Sequence, residues 1–209
     1  MTGGPGPVSL YGWRAIDWGD ARTLRDQLTD RYRSTRTEIV RNPHQELPQA
    51  RAIVRSPRLL NQVREVIGPN IAVEHSDLTF KWPGSTFEEP WHQDGINDRL
   101  QLDPDRSVTA WLALTDVTPR AGCLITAPGA HVNGYRTPGS SLPNGTSTAS
   151  VTLLAGQGLL MDVRLPHRST VNHSGLVRVA LSIRFVAPDG IRIRDGLSPS
   201  LDPVSGTGW

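Results

Sequence analysis

The chain has 209 residues, enough for one ordinary domain that buries a core without disulfide staples. Its 22 basic and 20 acidic side chains nearly balance, and Lys81 is the single lysine among them. One cysteine (Cys123) excludes disulfide frameworks and cysteine-built zinc or iron–sulfur centres, the lack of an 18-residue apolar run excludes a membrane span, and arginines scattered among acids argue against a nucleic-acid partner.

Residues 1–10 are rich in Gly and Pro and read as a flexible tail, with neither the charged start nor the apolar stretch of a signal peptide, which predicts a cytoplasmic protein. Asp20 is placed to cap a helix running to about Ser34, with Ala21, Leu24, Leu28 and Tyr32 on one stripe. Residues 41–50 hold two prolines and read as a loop. A second helix starts at Ser56-Pro57, buries Leu59, Leu60, Val63, Val66 and Ile67, and stops at Gly68-Pro69.

From residue 71 the period changes to two. Ile71 to Trp82 reads as a strand with His75, Asp77, Thr79 and Lys81 on one face, and Val108 to Thr115 alternates likewise. Further strands are expected at 122–127, 151–154, 158–163 and 178–186. Short strands after N-terminal helices predict a mainly β fold with flanking helices and a jelly-roll core.

The sharpest local feature is Trp91-His92-Gln93-Asp94-Gly95. On a strand, His92 and Asp94 would share a face and could offer an imidazole nitrogen and a carboxylate oxygen to one metal; a surface hydrogen bond is the plainer alternative. A third ligand would complete a facial triad and leave positions open for a chelating organic acid and dioxygen. Downstream, a hairpin-like return is expected to bring Arg178 beside His167, where a guanidinium can fork onto a carboxylate. His75 and Asp77 read either as a polar pocket wall or as a solvent-facing strand. His44 sits in a Pro-flanked loop that could cover a pocket, while His131 reads as structural.

Four ordered segments resemble the phytanoyl-CoA dioxygenase-like family of Fe(II)- and 2-oxoglutarate-dependent oxygenases. They are Lys81-Trp-Pro-Gly with Trp91-His-Gln-Asp-Gly95, Val108-Thr-Ala-Trp111, Gly122-Cys-Leu-Ile-Thr-Ala-Pro-Gly-Ala-His131, and His167 through Arg178-Val-Ala-Leu-Ser-Ile-Arg184. Two turns depart from the family pattern, at Arg120-Ala-Gly122 and at Ala130. The resemblance implies a double-stranded β-helix (jelly roll/cupin-like) core over 71–186, N-terminal helices over 20–70 and a C-terminal tail over 187–209, together one oxygenase domain.

It further implies that His92, Asp94 and His167 ligate iron(II). Arg178, Ser169, Trp111 and Thr109 would bind the co-substrate 2-oxoglutarate, with dioxygen completing the set, and His75 and Asp77 would face substrate. A carboxylate at Asp94 implies oxygen chemistry, since halogenases of this fold carry a small residue there. The expected reaction is hydroxylation, or another C–H oxidation, of a small polar molecule or natural-product intermediate by a monomer or homodimer. Two other readings stay open at this point: a non-redox jelly-roll ligand-binding protein, and a cupin-type metal-dependent isomerase or epimerase.

Overall fold

The computed structural model describes residue 8 and residues 10–209; most of the expected N-terminal tail lies outside them. Two sheets face each other, with helices covering the outer side of the larger one. The larger sheet runs β1 (Trp13–Asp17), β9 (Gln157–Met161), β6 (Ser107–Ala113), β11 (Arg178–Val186), β3 (Ile71–Lys81), β13 (Asp202–Ser205), with β2 (Ile39–Arg41) also paired to β3. The smaller sheet runs β4 (Glu89–His92), β10 (His167–Ser169), β7 (Leu124–Thr126), β8 (Ala149–Val151), and a separate pair joins β5 (Leu100–Leu102) to β12 (Ile191–Ile193). This is the expected jelly-roll core with flanking helices. No helix among the described residues is long and apolar enough to cross a membrane.

Alternation along β11 sorts its side chains between two environments. Val179, Leu181, Ile183 and Phe185 join the outer core, packed with Leu59, Leu60, Val63 and Ile67 of α4 (Pro57–Ile67). Arg178, Ala180, Ser182 and Arg184 face between the sheets. One end of that interior is apolar, with Trp111, Leu159, Met161 and Ala180 meeting Cys123, Leu124, Val151 and Leu165. The other end is polar and holds the candidate site.

On β3 the outer-core residues are Ile71 and Val73, then Leu78 and Phe80, so the parity changes between them. The cause is a bulge: Arg184 of β11 stands opposite His75 and Phe185 opposite Val73, which leaves Glu74 as the extra residue. Beyond it His75, Asp77, Thr79 and Lys81 turn inward, so the solvent-facing alternative for this face does not hold.

Four expectations need correction. Residues 41–50 are not a loop: Pro43 opens α2 (Pro43–Glu46) and Pro48 opens α3 (Pro48–Val54). Proline suits a first helical turn, where its missing N–H costs nothing. The return from His167 to Arg178 is no hairpin, because β10 and β11 belong to different sheets. The crossing is pinned by buried Asn172, whose side-chain amide donates to the carbonyls of Lys81 (2.6 Å) and Leu176 (2.8 Å). The segment 187–209 is more than a tail: it supplies β12 and β13. The first helix, α1 (Arg22–Arg33), also starts a residue later than expected, although Asp20 Oδ1 accepts from the Arg22 N–H at 2.9 Å.

Candidate metal centre and adjoining cavities

His92 ends β4 and His167 opens β10, and the two are register partners across the smaller sheet. Each Nδ1 faces a carbonyl two residues back, Pro90 at 2.8 Å for His92 and Leu165 at 3.0 Å for His167. An acceptor at Nδ1 requires the proton there, which frees each Nε2 lone pair. Both lone pairs turn toward Asp94: His92 Nε2 lies 3.7 Å from one carboxylate oxygen and His167 Nε2 lies 3.8 Å from the other. These separations are too long for hydrogen bonds and short enough for all three groups to share one ion. Their donor atoms all lie within 4.8 Å of one another.

The electrostatics fit the same use. Burial, assisted by His92, pushes the His167 imidazole down to about 4, so it is a neutral donor at pH 7. Burial acts to raise the Asp94 carboxyl, but His167, His92 and Arg184 outweigh it and hold it below its ordinary range. Of these three, Arg184 is the permanent cation. Two imidazoles and one carboxylate match the two-His, one-carboxylate set of non-haem iron(II).

Asp94 is not on a strand. It sits in the turn after β4, and Gly95 allows that turn: a Cβ there would lie 2.3 Å from Tyr135 Oη and 2.9 Å from Val163 Cβ.

A cavity of about 120 Å³ opens beside the triad, lined by His92, Asp94 and His167 at one side and by Thr79, Trp111, Ser169 and Arg178 beyond. Arg178 is 2 % exposed. Its Nη1 donates to Thr79 Oγ1 at 3.1 Å and its Nη2 to the Gly122 carbonyl at 3.0 Å, while Nε has no partner among the described residues. Its guanidinium carbon lies 5.5 Å from the centre of the Trp111 ring. No carboxylate within ion-pair distance answers it among the described residues, and burial pushes its pKa down to about 10. A buried cation with an unused donor, facing a cavity beside a metal triad, fits the far carboxylate of a dicarboxylic acid.

Comparison with known proteins agrees with this geometry. The family model described as phytanoyl-CoA dioxygenase (PhyH) matches residues 19–180, well over half of the chain. The chain belongs to this family. A phytanoyl-CoA dioxygenase of Arabidopsis thaliana is 32 % identical over 133 residues, covering 57 % of this chain and 46 % of the plant protein. The chain spans about half the length of such curated relatives. Among solved structures, the apo form of a non-heme monooxygenase, ThoJ, superposes with a TM-score of 0.81 at 22 % identity, over 96 % of this chain and 83 % of its own. The non-heme alpha ketoglutarate dependent carbocyclase SnoK from nogalamycin biosynthesis gives 0.74 at 22 % identity, over 96 % and 92 %. At these identities the structures share the fold.

Within this PhyH-family site, the three expected ligands come together, and Arg178, Ser169 and Trp111 line the inner cavity. Thr109 does not line it; fully buried on β6, it faces the Asp94 carboxylate instead. Asp77 lines the inner cavity and also a larger one of about 570 Å³, which His75 lines too. His44 lines neither cavity: it is buried, with Nδ1 2.6 Å from Ser76 Oγ.

Several wall residues escaped the sequence reading. Arg41, Glu89 and Ser182 line both cavities, and Glu74, Arg99, Arg184 and residues 197–200 line the larger one. For Ser182 and Arg184 a signal existed, since both lie at even spacing from Arg178 on one strand. For residues 197–200 there was none, because that wall depends on β12 and β13 pairing far from their neighbours in sequence.

Proposed function

We propose that this protein is an Fe(II)- and 2-oxoglutarate-dependent oxygenase that hydroxylates, or otherwise oxidises a C–H bond of, a small polar molecule such as a natural-product intermediate. The observation that carries the reading is the buried Arg178 guanidinium, without a carboxylate, across a small cavity from three convergent metal donors. Family membership supports it, and so does the likeness to enzymes titled alpha ketoglutarate dependent.

His92, Asp94 and His167 would hold the iron. With dioxygen, the bound iron and 2-oxoglutarate supply oxidative decarboxylation to succinate and carbon dioxide, coupled to oxidation of a substrate C–H bond. The protein's contribution is placement and exclusion of water. Arg178, Ser169 and Trp111, which line the inner cavity, would hold 2-oxoglutarate, with the Arg178 guanidinium meeting its far carboxylate and Ser169 and Trp111 orienting it. Buried His167, Trp111 and Leu124 keep that end dry.

The larger cavity is the substrate's place, with His75 and Asp77 in its wall. Its lining is apolar only at Leu100, Leu197 and Pro199, which suits a hydrophilic molecule better than a fatty acyl chain. A cytoplasmic setting, one domain over the whole chain and a monomeric or homodimeric state belong to the same proposal.

The test is anaerobic. Iron(II) and 2-oxoglutarate added to the metal-free protein should produce a metal-to-ligand charge-transfer band, lost in His92→Ala and weakened in Arg178→Met. Absence of the band in the wild-type protein would sink the assignment. Turnover restricted to acyl-CoA thioesters would overturn the polar-substrate part alone.

A further inference from the structure

The two histidines of the triad are fixed by the ladder between β4 and β10, but Asp94 lies beyond the end of β4. Three backbone contacts hold its turn. The Gly95 N–H donates to the Val163 carbonyl at 2.8 Å, the Leu102 N–H donates to the Gly95 carbonyl at 2.8 Å, and Arg184 Nη1 donates to the carbonyl of Asp94 itself at 2.9 Å. The last of these comes from the opposite sheet. Arg184 is ion-paired in turn with Glu74, whose Oε2 lies 2.8 Å from Arg184 Nε, a charge contact without hydrogen-bond alignment. Both side chains are largely buried, 16 % exposed for Arg184 and 8 % for Glu74.

Glu74 is the bulged residue of β3, so it and His75, neighbours in sequence, both turn to the inner side instead of alternating. A bulge that turns one side chain toward a site is a recurrent way to aim a functional group. Thr109, the register partner of Arg184 on β6, faces the carboxylate of the same aspartate.

We infer that Glu74 and Arg184 are a positioning pair for Asp94: the larger sheet grips, through them, the one triad member that the smaller sheet leaves in a turn. The inference rests on the proposed metal site. The pair touches the ligand's backbone and not the bound ion, so it fixes where the carboxylate stands before metal arrives. Contacts of this kind around metal ligands are typically worth 10- to 100-fold in metal affinity. Because both residues also border the larger cavity, turnover alone would mix their effect on Asp94 with any effect on substrate.

Metal binding without substrate separates the two. The full-length, metal-free protein is titrated anaerobically with cobalt(II), read from its visible bands, and melted without metal in parallel. Arg184→Gln should weaken cobalt binding by about 10- to 100-fold. Glu74→Gln, which keeps Arg184 and nearly the same shape, should weaken it less but measurably, and Arg184→Lys should fall between Arg184→Gln and wild type. Affinities of Glu74→Gln and Arg184→Gln within twofold of wild type, whatever their melting temperatures, would overturn the inference. If Arg184→Gln does not fold, Glu74→Gln decides alone. Asp94→Ala guards the parent reading: wild type that binds while Asp94→Ala does not establishes the ligand apart from its positioning, and wild type that binds no metal removes both.

Discussion

Arg178 and Arg184 stand on the same inward face of β11, six residues apart, and the fold treats them in opposite ways. Arg184 is matched: Glu74 answers its charge and the Asp94 carbonyl takes one of its N–H groups. Arg178 is more deeply buried, yet it has only a hydroxyl, a carbonyl and an aromatic face, and among the described residues no carboxylate lies within ion-pair distance of it. A buried charge without a counter-charge lowers stability, and one inside a complete ion pair is tolerated. The matched arginine is therefore scaffold, and the unmatched one waits for an anion.

Substituting each arginine with the same apolar residue gives the largest contrast. Arg178→Met should leave the ligand-free protein as stable as wild type or more so, while 2-oxoglutarate binding weakens roughly 30- to 5000-fold, the equivalent of truncating one partner of a buried charge pair at about 2–5 kcal/mol. With metal kept saturating, Arg184→Met should do the reverse. It strands Glu74 and should cost about 3–5 kcal/mol of stability. Urea melts and calorimetric titration with 2-oxoglutarate check both. A destabilised Arg178→Met with undiminished co-substrate affinity would erase the distinction.

Next in size is Gly95→Ala. The new methyl meets Tyr135 and Val163, and overpacking of this kind costs about 1–3 kcal/mol. The turn that carries Asp94 must shift to relieve it, so cobalt affinity should fall along with the melting temperature. A variant that loses stability and keeps its metal affinity would show that Arg184 alone suffices to hold Asp94.

The same contrast separates what the sequence revealed from what it hid. His92, Asp94, His167 and Arg178 were legible because the resemblance fixes them in order along the chain, and β3, β6 and β11 were legible because long strands alternate cleanly. What escaped depends on interruptions and distant pairing. β4 contains Pro90 and β13 contains Pro203, and proline within a short run masks a strand. Asp94 seemed to share a strand face with His92, but the strand ends at His92 and the aspartate is brought in by an arginine 90 positions away. The bulge at Glu74 was foreshadowed by the parity change from Ile71 and Val73 to Leu78 and Phe80. Its use could not be foreseen, because the arginine it aims lies on another strand.

Read per pH unit, Lys81 gives the smallest effect, and it is the finest test of the unpaired Arg178 charge. It stands directly across from Arg178 in the β3–β11 register and is 1 % exposed. Its ammonium donates to the Phe87 carbonyl at 2.8 Å and rests over the Phe87 ring at 4.5 Å. Burial first, and then the Arg178 charge, push its pKa from 10.5 down to about 7. The unfolded chain therefore keeps this proton up to its ordinary pKa, whereas the folded chain releases it near 7. Between those limits the unfolded state binds more protons, so stability rises with pH, by at most about 1.4 kcal/mol per pH unit. Arg178, held near 10, joins only at the top of that window. Urea melts across the interval should show the rise in wild type and a flat response in Lys81→Met. Saturating 2-oxoglutarate supplies the missing negative charge beside Arg178 and should draw the Lys81 pKa back up, flattening the wild-type slope as well. A slope that ignores both the substitution and the co-substrate would mean that the two cations do not share one field, and that the carboxylates of Asp77, Glu89 and Asp94 around the cavity already offset Arg178.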